Sequence, residues 1–138
     1  MKVIFLDIDG VLNSEEYALS LGMGGMLGID PDKVRILDRI LEATGAKLVI
    51  SSSWRGSPDL LADIRRDVGE YIDITPRLSG IRGSEVREWL RSHHLQVSRY
   101  AILDDDSDFY KYQPLFKTTW KKGLTDEIAD NVIKYLTK

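Results

Sequence analysis

Asp7 and Asp9 stand one residue apart directly after the apolar run Met1–Leu6, and Gly10-Val11-Leu12-Asn13 follows them. In an extended chain, residues i and i+2 point the same way, so both carboxylates can face one point just past a strand end. Two like charges that close raise each other's pKa unless a cation or a proton transfer uses them. A hydrophobic core has no need of such a pair, whereas a site that handles phosphate through a metal ion does. Related residue types recur further along. Ser51-Ser52-Ser53-Trp54-Arg55 follows an apolar run, Arg82 precedes a helical stretch, and Asp104-Asp105-Asp106-Ser107-Asp108 follows Ala101-Ile102-Leu103.

The elements that must position these residues alternate between strand and helix. Lys2–Asp7 reads as a buried strand and Ala46–Ser51 as a second. Between them Asp30 and Pro31 supply an N-cap and a first helical position. Val34, Leu37, Ile40 and Leu41 follow at helical spacing, and Gly45 closes the segment. Ser57-Pro58 repeats the signal before Leu60, Leu61, Ile64 and Val68, with Gly69 as the stop. Glu70–Ile74 makes a weaker third strand. Ser84 is expected to cap a helix carrying Val86, Trp89 and Leu90, and Arg99–Leu103 makes a fourth strand. Leu115–Thr119 reads as a fifth, ahead of a terminal helix from Thr125 with Ile128, Val132, Tyr135 and Leu136 inward. Such alternation with short links predicts an α/β fold whose parallel sheet is covered by helices on both faces. Sheets of this kind bind ligands outside the carboxyl ends of their strands. All four chemical clusters fall at that edge.

Composition sets the outer bounds. At 138 residues and 43% hydrophobic, the chain is long enough for one ordinary domain with a real core. A net charge of −3 gives no global attraction to nucleic acid or anionic membrane, which leaves room for a local basic groove. The absence of cysteine removes disulfides, thiolate metal sites and a thiol nucleophile. Met1-Lys2 runs straight into a strand and no apolar stretch approaches a membrane span, so the expectation is a soluble, cytoplasmic protein with no membrane partner. Oligomeric state is not readable from the chain.

The four clusters together resemble those of haloacid dehalogenase (HAD) superfamily phosphatases. Asp7-Ile8-Asp9-Gly10-Val11 matches that family's first motif, and the second, a hydroxyl closing a hydrophobic strand, falls within Ser51–Ser53. Arg82-Gly83-Ser84-Glu85-Val86 matches the third, with Arg in place of the commoner Lys, and Ile102-Leu103-Asp104-Asp105 matches the fourth. The resemblance implies a Rossmann-like three-layer α/β/α domain over residues 1–138, with a mostly parallel five-stranded sheet. It implies Asp7 as nucleophile, giving an aspartyl-phosphate, and Asp9 as general acid and then general base. It further implies Mg²⁺ held by Asp7, the backbone carbonyl of Asp9 and an aspartate of the 104–108 cluster. Asp105 and Asp104 rank first for that role, and Asp108 as an orienting residue. Ser52, favoured over Ser51, would bind a phosphoryl oxygen, and Arg82 would hold the phosphoryl group.

Plainer roles suit other features. Taken alone, an acidic run is a solvated turn and a serine run a loop. The glycine-rich Gly22–Gly28 stretch lacks the ending of a phosphate loop and reads as a mobile flap. His93-His94 fits a solvated pair at a helix end, and Trp54 and Trp89 fit packing roles. Trp120-Lys121-Lys122 reads as a basic surface loop.

The gaps between motifs are too short for a cap domain. In the resembling family an uncapped site is typical of enzymes acting on macromolecules, and the double-Asp fourth motif is similar to that of polynucleotide 3′-phosphatase domains. The implied partner is a phosphorylated substrate, a nucleic-acid end or nucleotide, with Arg55, Arg77, Arg82, Arg87, Lys121 and Lys122 as a basic rim. The alternatives are a phosphoprotein or small-metabolite phosphatase, or a catalytically silent module that keeps the fold. Retention of both Asp7 and Asp9 speaks against the silent form.

Overall fold

The computed structural model describes residues 1–22 and 28–138; the flap expected at Gly22–Gly28 falls on residues 23–27, which lie outside the described residues. The strands are β1 (Lys2–Leu6), β2 (Lys47–Ile50), β3 (Asp73–Ile74), β4 (Arg99–Asp104) and β5 (Leu115–Lys117). The helices are α1 (Glu15–Ser20), α2 (Pro31–Thr44), α3 (Pro58–Asp67), α4 (Arg82–His93) and α5 (Asp126–Leu136), with a short 3₁₀ turn at Ser53–Gly56. All five strands pair in parallel, in the order β3-β2-β1-β4-β5.

Side chains of β1 alternate between two buried faces, as strand geometry requires. Val3 and Phe5, with Val49 and Ile102, pack against Val86 and Trp89 of α4. Ile4 and Leu6, with Leu48, Ile50, Ala101 and Leu103, pack against Leu37, Ile40, Ile64, Ala129 and Val132 on α2, α3 and α5. Burial of each such side chain contributes roughly 1.5–3 kcal/mol. The chain leaves β3, crosses past β1 through α4 and enters β4, so the strand order reverses between β1 and β4. Open α/β sheets form their ligand crevice at that point.

The local helix signals act where they were read. Asp30, Ser57 and Thr125 accept from backbone N–H groups of the helices they precede, and Gly45 closes α2 at φ 70°. Three expectations need correction. Ser84 does not cap α4, because the helix starts at Arg82 with Ile81 in the cap position. The third strand shrinks from Glu70–Ile74 to Asp73–Ile74, since an edge strand with one neighbour keeps only the residues that pair with Val49 and Ile50. The fifth stops at Lys117, because buried Thr118 turns inward and donates from Oγ1 to the carbonyl of Gly10 at 2.6 Å. Among the described residues no cap domain covers the sheet edge, and no helix is long and apolar enough to cross a membrane.

Candidate active site

Register decides which residues reach the crevice. Leu6 lies opposite Ile50 on β2 and Leu103 on β4, so Asp7, Ser51 and Asp104 are the next positions along three adjacent strands. Asp7 N–H donates to the Leu103 carbonyl and Ser51 N–H to the Leu6 carbonyl, both at 3.0 Å, which carries the ladder one residue further. By two-residue periodicity, Asp7, Ser51 and Asp104 continue the face of Phe5, Val49 and Ile102, the face that α4 covers. Arg82 is the first residue of that helix.

Arg82 closes the arrangement. Its Nη1 donates to the Ser51 carbonyl at 3.1 Å and to Asp104 Oδ2 at 3.3 Å, and lies 3.5 Å from Asp7 Oδ1. Burial works against the charge of this guanidinium, and the carboxylates of Asp7 and Asp104 outweigh it. Asp108 fixes the start of α4. Its Oδ2 accepts from Arg82 N–H at 3.1 Å and its carbonyl from Gly83 N–H at 2.9 Å. These are helix N-terminal donors that otherwise lack partners. Glycine is required at 83 because a Cβ there would crowd the Gln113 side chain and the backbone of Phe109 and Tyr110.

Asp7, Asp104 and Asp105 each place a carboxylate oxygen within 4.8 Å of the others. Asp7 is 4% exposed and Asp104 fully buried. Burial, then the charge of Asp7, pushes Asp104 up to about 8. Burial also raises Asp7; Arg82 opposes that rise and the Asp105 charge adds to it. Arg82 meets two of these three carboxylates, and the oxygen-rich cluster fits a hard divalent cation such as Mg²⁺. Among the described residues no donor takes the Asp9 carbonyl, which is thereby free to serve as a ligand.

The Asp9 side chain is not part of that cluster. Its Oδ1 accepts from Asn13 Nδ2 at 2.9 Å and its Oδ2 from the indole Nε1 of Trp54 at 3.0 Å. Trp54, read from the sequence as a packing residue, is buried and also holds a site carboxylate. Asn13 is buried too and uses its Oδ1 to accept from Gly10 N–H at 2.9 Å. Gly10 itself, at φ 81°, lies so close to Asp105 that a Cβ would collide with that carboxylate.

The structure separates the serines. Ser52 Oγ accepts from Trp54 N–H at 3.1 Å and caps the 3₁₀ turn. Ser51 Oγ is buried without a hydrogen-bond partner among the described residues, so the uncommitted hydroxyl belongs to Ser51 rather than to Ser52. The parity of β2 is the signal that could have found it. Arg55 also departs from expectation. Its Nη2 bonds both Glu85 oxygens at 2.8 Å and its Nη1 bonds the Ser51 carbonyl at 2.6 Å and the Ser52 carbonyl at 3.1 Å. Its side chain is 7% exposed, which withdraws it from the basic rim. Glu85, missed in the sequence, also accepts from Leu78 N–H. Arg77, Arg87, Lys121 and Lys122 are exposed. His93 ends α4 as expected, but its ring stacks on Trp89 at 3.9 Å instead of standing free in solvent.

A parallel sheet of this order, with an Asp-x-Asp after β1, a hydroxyl after β2, an arginine opening α4 and paired aspartates at the end of β4, has the architecture of a HAD-superfamily domain. Residues 3–129 match the family described as HAD domain in Swiss Army Knife RNA repair proteins, and the chain belongs to that family. Comparisons with curated proteins and with solved structures returned no match.

Proposed function

We propose that residues 1–138 act as a Mg²⁺-dependent phosphomonoester hydrolase working through an aspartyl-phosphate on Asp7. The convergence of Arg82 on Asp7, Asp104 and the Ser51 carbonyl carries this reading, because it brings the proposed nucleophile, a positive charge and carboxylate oxygens suited to a cation to one point.

Asp7 attacks phosphorus while the bond to the leaving oxygen breaks, and Asp9 gives that oxygen a proton. Asp9 then takes a proton from the water that attacks the aspartyl-phosphate, which returns both carboxyl groups to their starting states. Arg82 offsets charge on the transferring phosphoryl group through its guanidinium donors. Ser51 donates to a phosphoryl oxygen, in place of the Ser52 that the motif suggested. Asp7, Asp104 and Asp105, with the Asp9 carbonyl, would hold Mg²⁺, which when bound offsets repulsion between carboxylate and phosphate dianion. Asp108 acts by orienting Arg82.

The substrate class we infer is a phosphorylated nucleic-acid end. The family's description as a domain of RNA repair proteins supports it, as do the lack of a cap over the described edge and the exposed Arg77, Arg87, Lys121 and Lys122. The two lysines stand on the turn that Gly123 and Leu124 hold against Val11 and Asn13, beside the Asp-x-Asp loop. The test is phosphate release from an aryl phosphate with and without Mg²⁺ by wild type and Asp7→Asn. Metal-dependent turnover that the substitution removes is expected. Equal turnover by the variant would overturn the reading.

A further inference from the structure

A general acid needs its proton aimed at the leaving oxygen, and an exposed aspartate does not ordinarily hold one rotamer. Asp9 is exposed, yet each of its oxygens accepts from a different buried donor, Asn13 Nδ2 and Trp54 Nε1. Neither donor can take another role there. An indole nitrogen only donates. Asn13 Oδ1 faces Gly10 N–H, itself only a donor, so the amide nitrogen is the group left for Asp9 and for the Gly28 carbonyl. The two donors also come from different parts of the fold. Asn13 follows β1, and Trp54 opens the 3₁₀ turn after β2, where Ser52 caps its backbone N–H.

We propose that Trp54, with Asn13, is a positioning residue that fixes the rotamer of the Asp9 carboxyl group and so sets the enzyme's demand on the leaving group. This rests on the phosphatase reading and deepens it. With one acceptor site on each oxygen occupied by a fixed donor, the transferable proton sits on a remaining lone pair and keeps a constant direction. As the phosphorus–oxygen bond breaks, that proton passes to the departing alkoxide, and the aspartate is left as carboxylate between the same two donors. An alkyl leaving group, such as the ribose oxygen of a nucleic-acid end, needs this proton. A nitrophenolate departs without it.

Trp54→Phe keeps an aromatic ring in the core cluster to which Trp54 belongs and removes the indole N–H along with part of the ring's volume. With Mg²⁺ present, its kcat on an alkyl phosphate should fall about 10–100-fold while kcat on p-nitrophenyl phosphate stays within about threefold and KM holds for both. Equal losses on the two substrates, or no loss on either, would overturn the role. Independently of turnover, the Trp54 indole N–H resonance should move upfield in Asp9→Ala, and an unmoved resonance would overturn the contact. If wild type hydrolyses neither phosphate, the function itself fails and this role with it, a failure recognised before any substitution is made.

Discussion

Arg55 and Glu85 form a two-point ion pair, both contacts 2.8 Å, with side chains 7% and 8% exposed. The pair ties the loop after β2, whose Ser51 and Ser52 carbonyls Arg55 also holds, to the first turns of α4, where Arg82 sits. An arginine that looked like part of a substrate-binding rim is instead a strut between two halves of the site. Removal of one member of a buried pair leaves the other charge without a partner, and that penalty exceeds the worth of the pair itself. Glu85→Ala should therefore destabilise the domain by about 3–5 kcal/mol in urea unfolding. A midpoint like that of wild type would show that the strut carries no load.

The stacked carboxylates predict an unusual pH dependence without metal. Asp7 and Asp104 are raised above the ordinary aspartate value of 3.8, Asp104 to about 8, chiefly by burial. Over that window the folded state holds protons that the unfolded chain has released, so stability falls as pH rises. Below it both states are protonated and the dependence vanishes. Melting temperature of the metal-free protein should drop steadily from about pH 4 to about pH 8. Saturating Mg²⁺, which favours the ionised carboxylates, should flatten the slope. A rising profile without metal would contradict the arrangement.

Asp104→Asn removes a buried charge from the same cluster while keeping the side chain's size. At pH 8 without metal it should melt above wild type, by at least roughly 1 kcal/mol in stability. Its melting temperature should no longer respond to Mg²⁺. A variant that Mg²⁺ still stabilises as wild type would take Asp104 out of the cation site.

Gly10→Ala tests the close approach of the Asp-x-Asp turn to Asp105. At φ 81° a side chain costs about 1–2 kcal/mol, and the added Cβ would drive the Asp105 carboxylate away. Titration of the protein with Mg²⁺, followed by thermal stability, should then show affinity weakened about tenfold or more. Unchanged affinity would mean that Asp105 does not contribute a ligand.

Much of this was legible in the chain because it is local. The Asp30-Pro31 and Ser57-Pro58 signals, the apolar strands and the acidic pair at the end of β4 each depend on neighbours in sequence. What stayed hidden depends on distant partners. Asp108 replaces Ser84 at the head of α4 from 26 residues away. Glu85 neutralises Arg55 across 30 residues, and Trp54 meets Asp9 across 45. A tryptophan and an asparagine carry no signature that separates packing from holding a carboxylate. The uncommitted hydroxyl of Ser51 was within reach, since the alternation of β2 sends Ser51 to the face of Asp7 while Ser52 turns to cap the next segment.

The aspartyl-phosphate is tested most directly by mixing the protein and Mg²⁺ with an oligoribonucleotide carrying a radiolabelled terminal phosphate, quenching in acid within milliseconds, and measuring label on the protein. The expected result is protein-bound phosphate that hydroxylamine releases, present in wild type and absent in Asp7→Asn, together with free phosphate on longer incubation. Free phosphate that forms without any labelled protein, or equally in Asp7→Asn, would contradict an aspartyl-phosphate on Asp7.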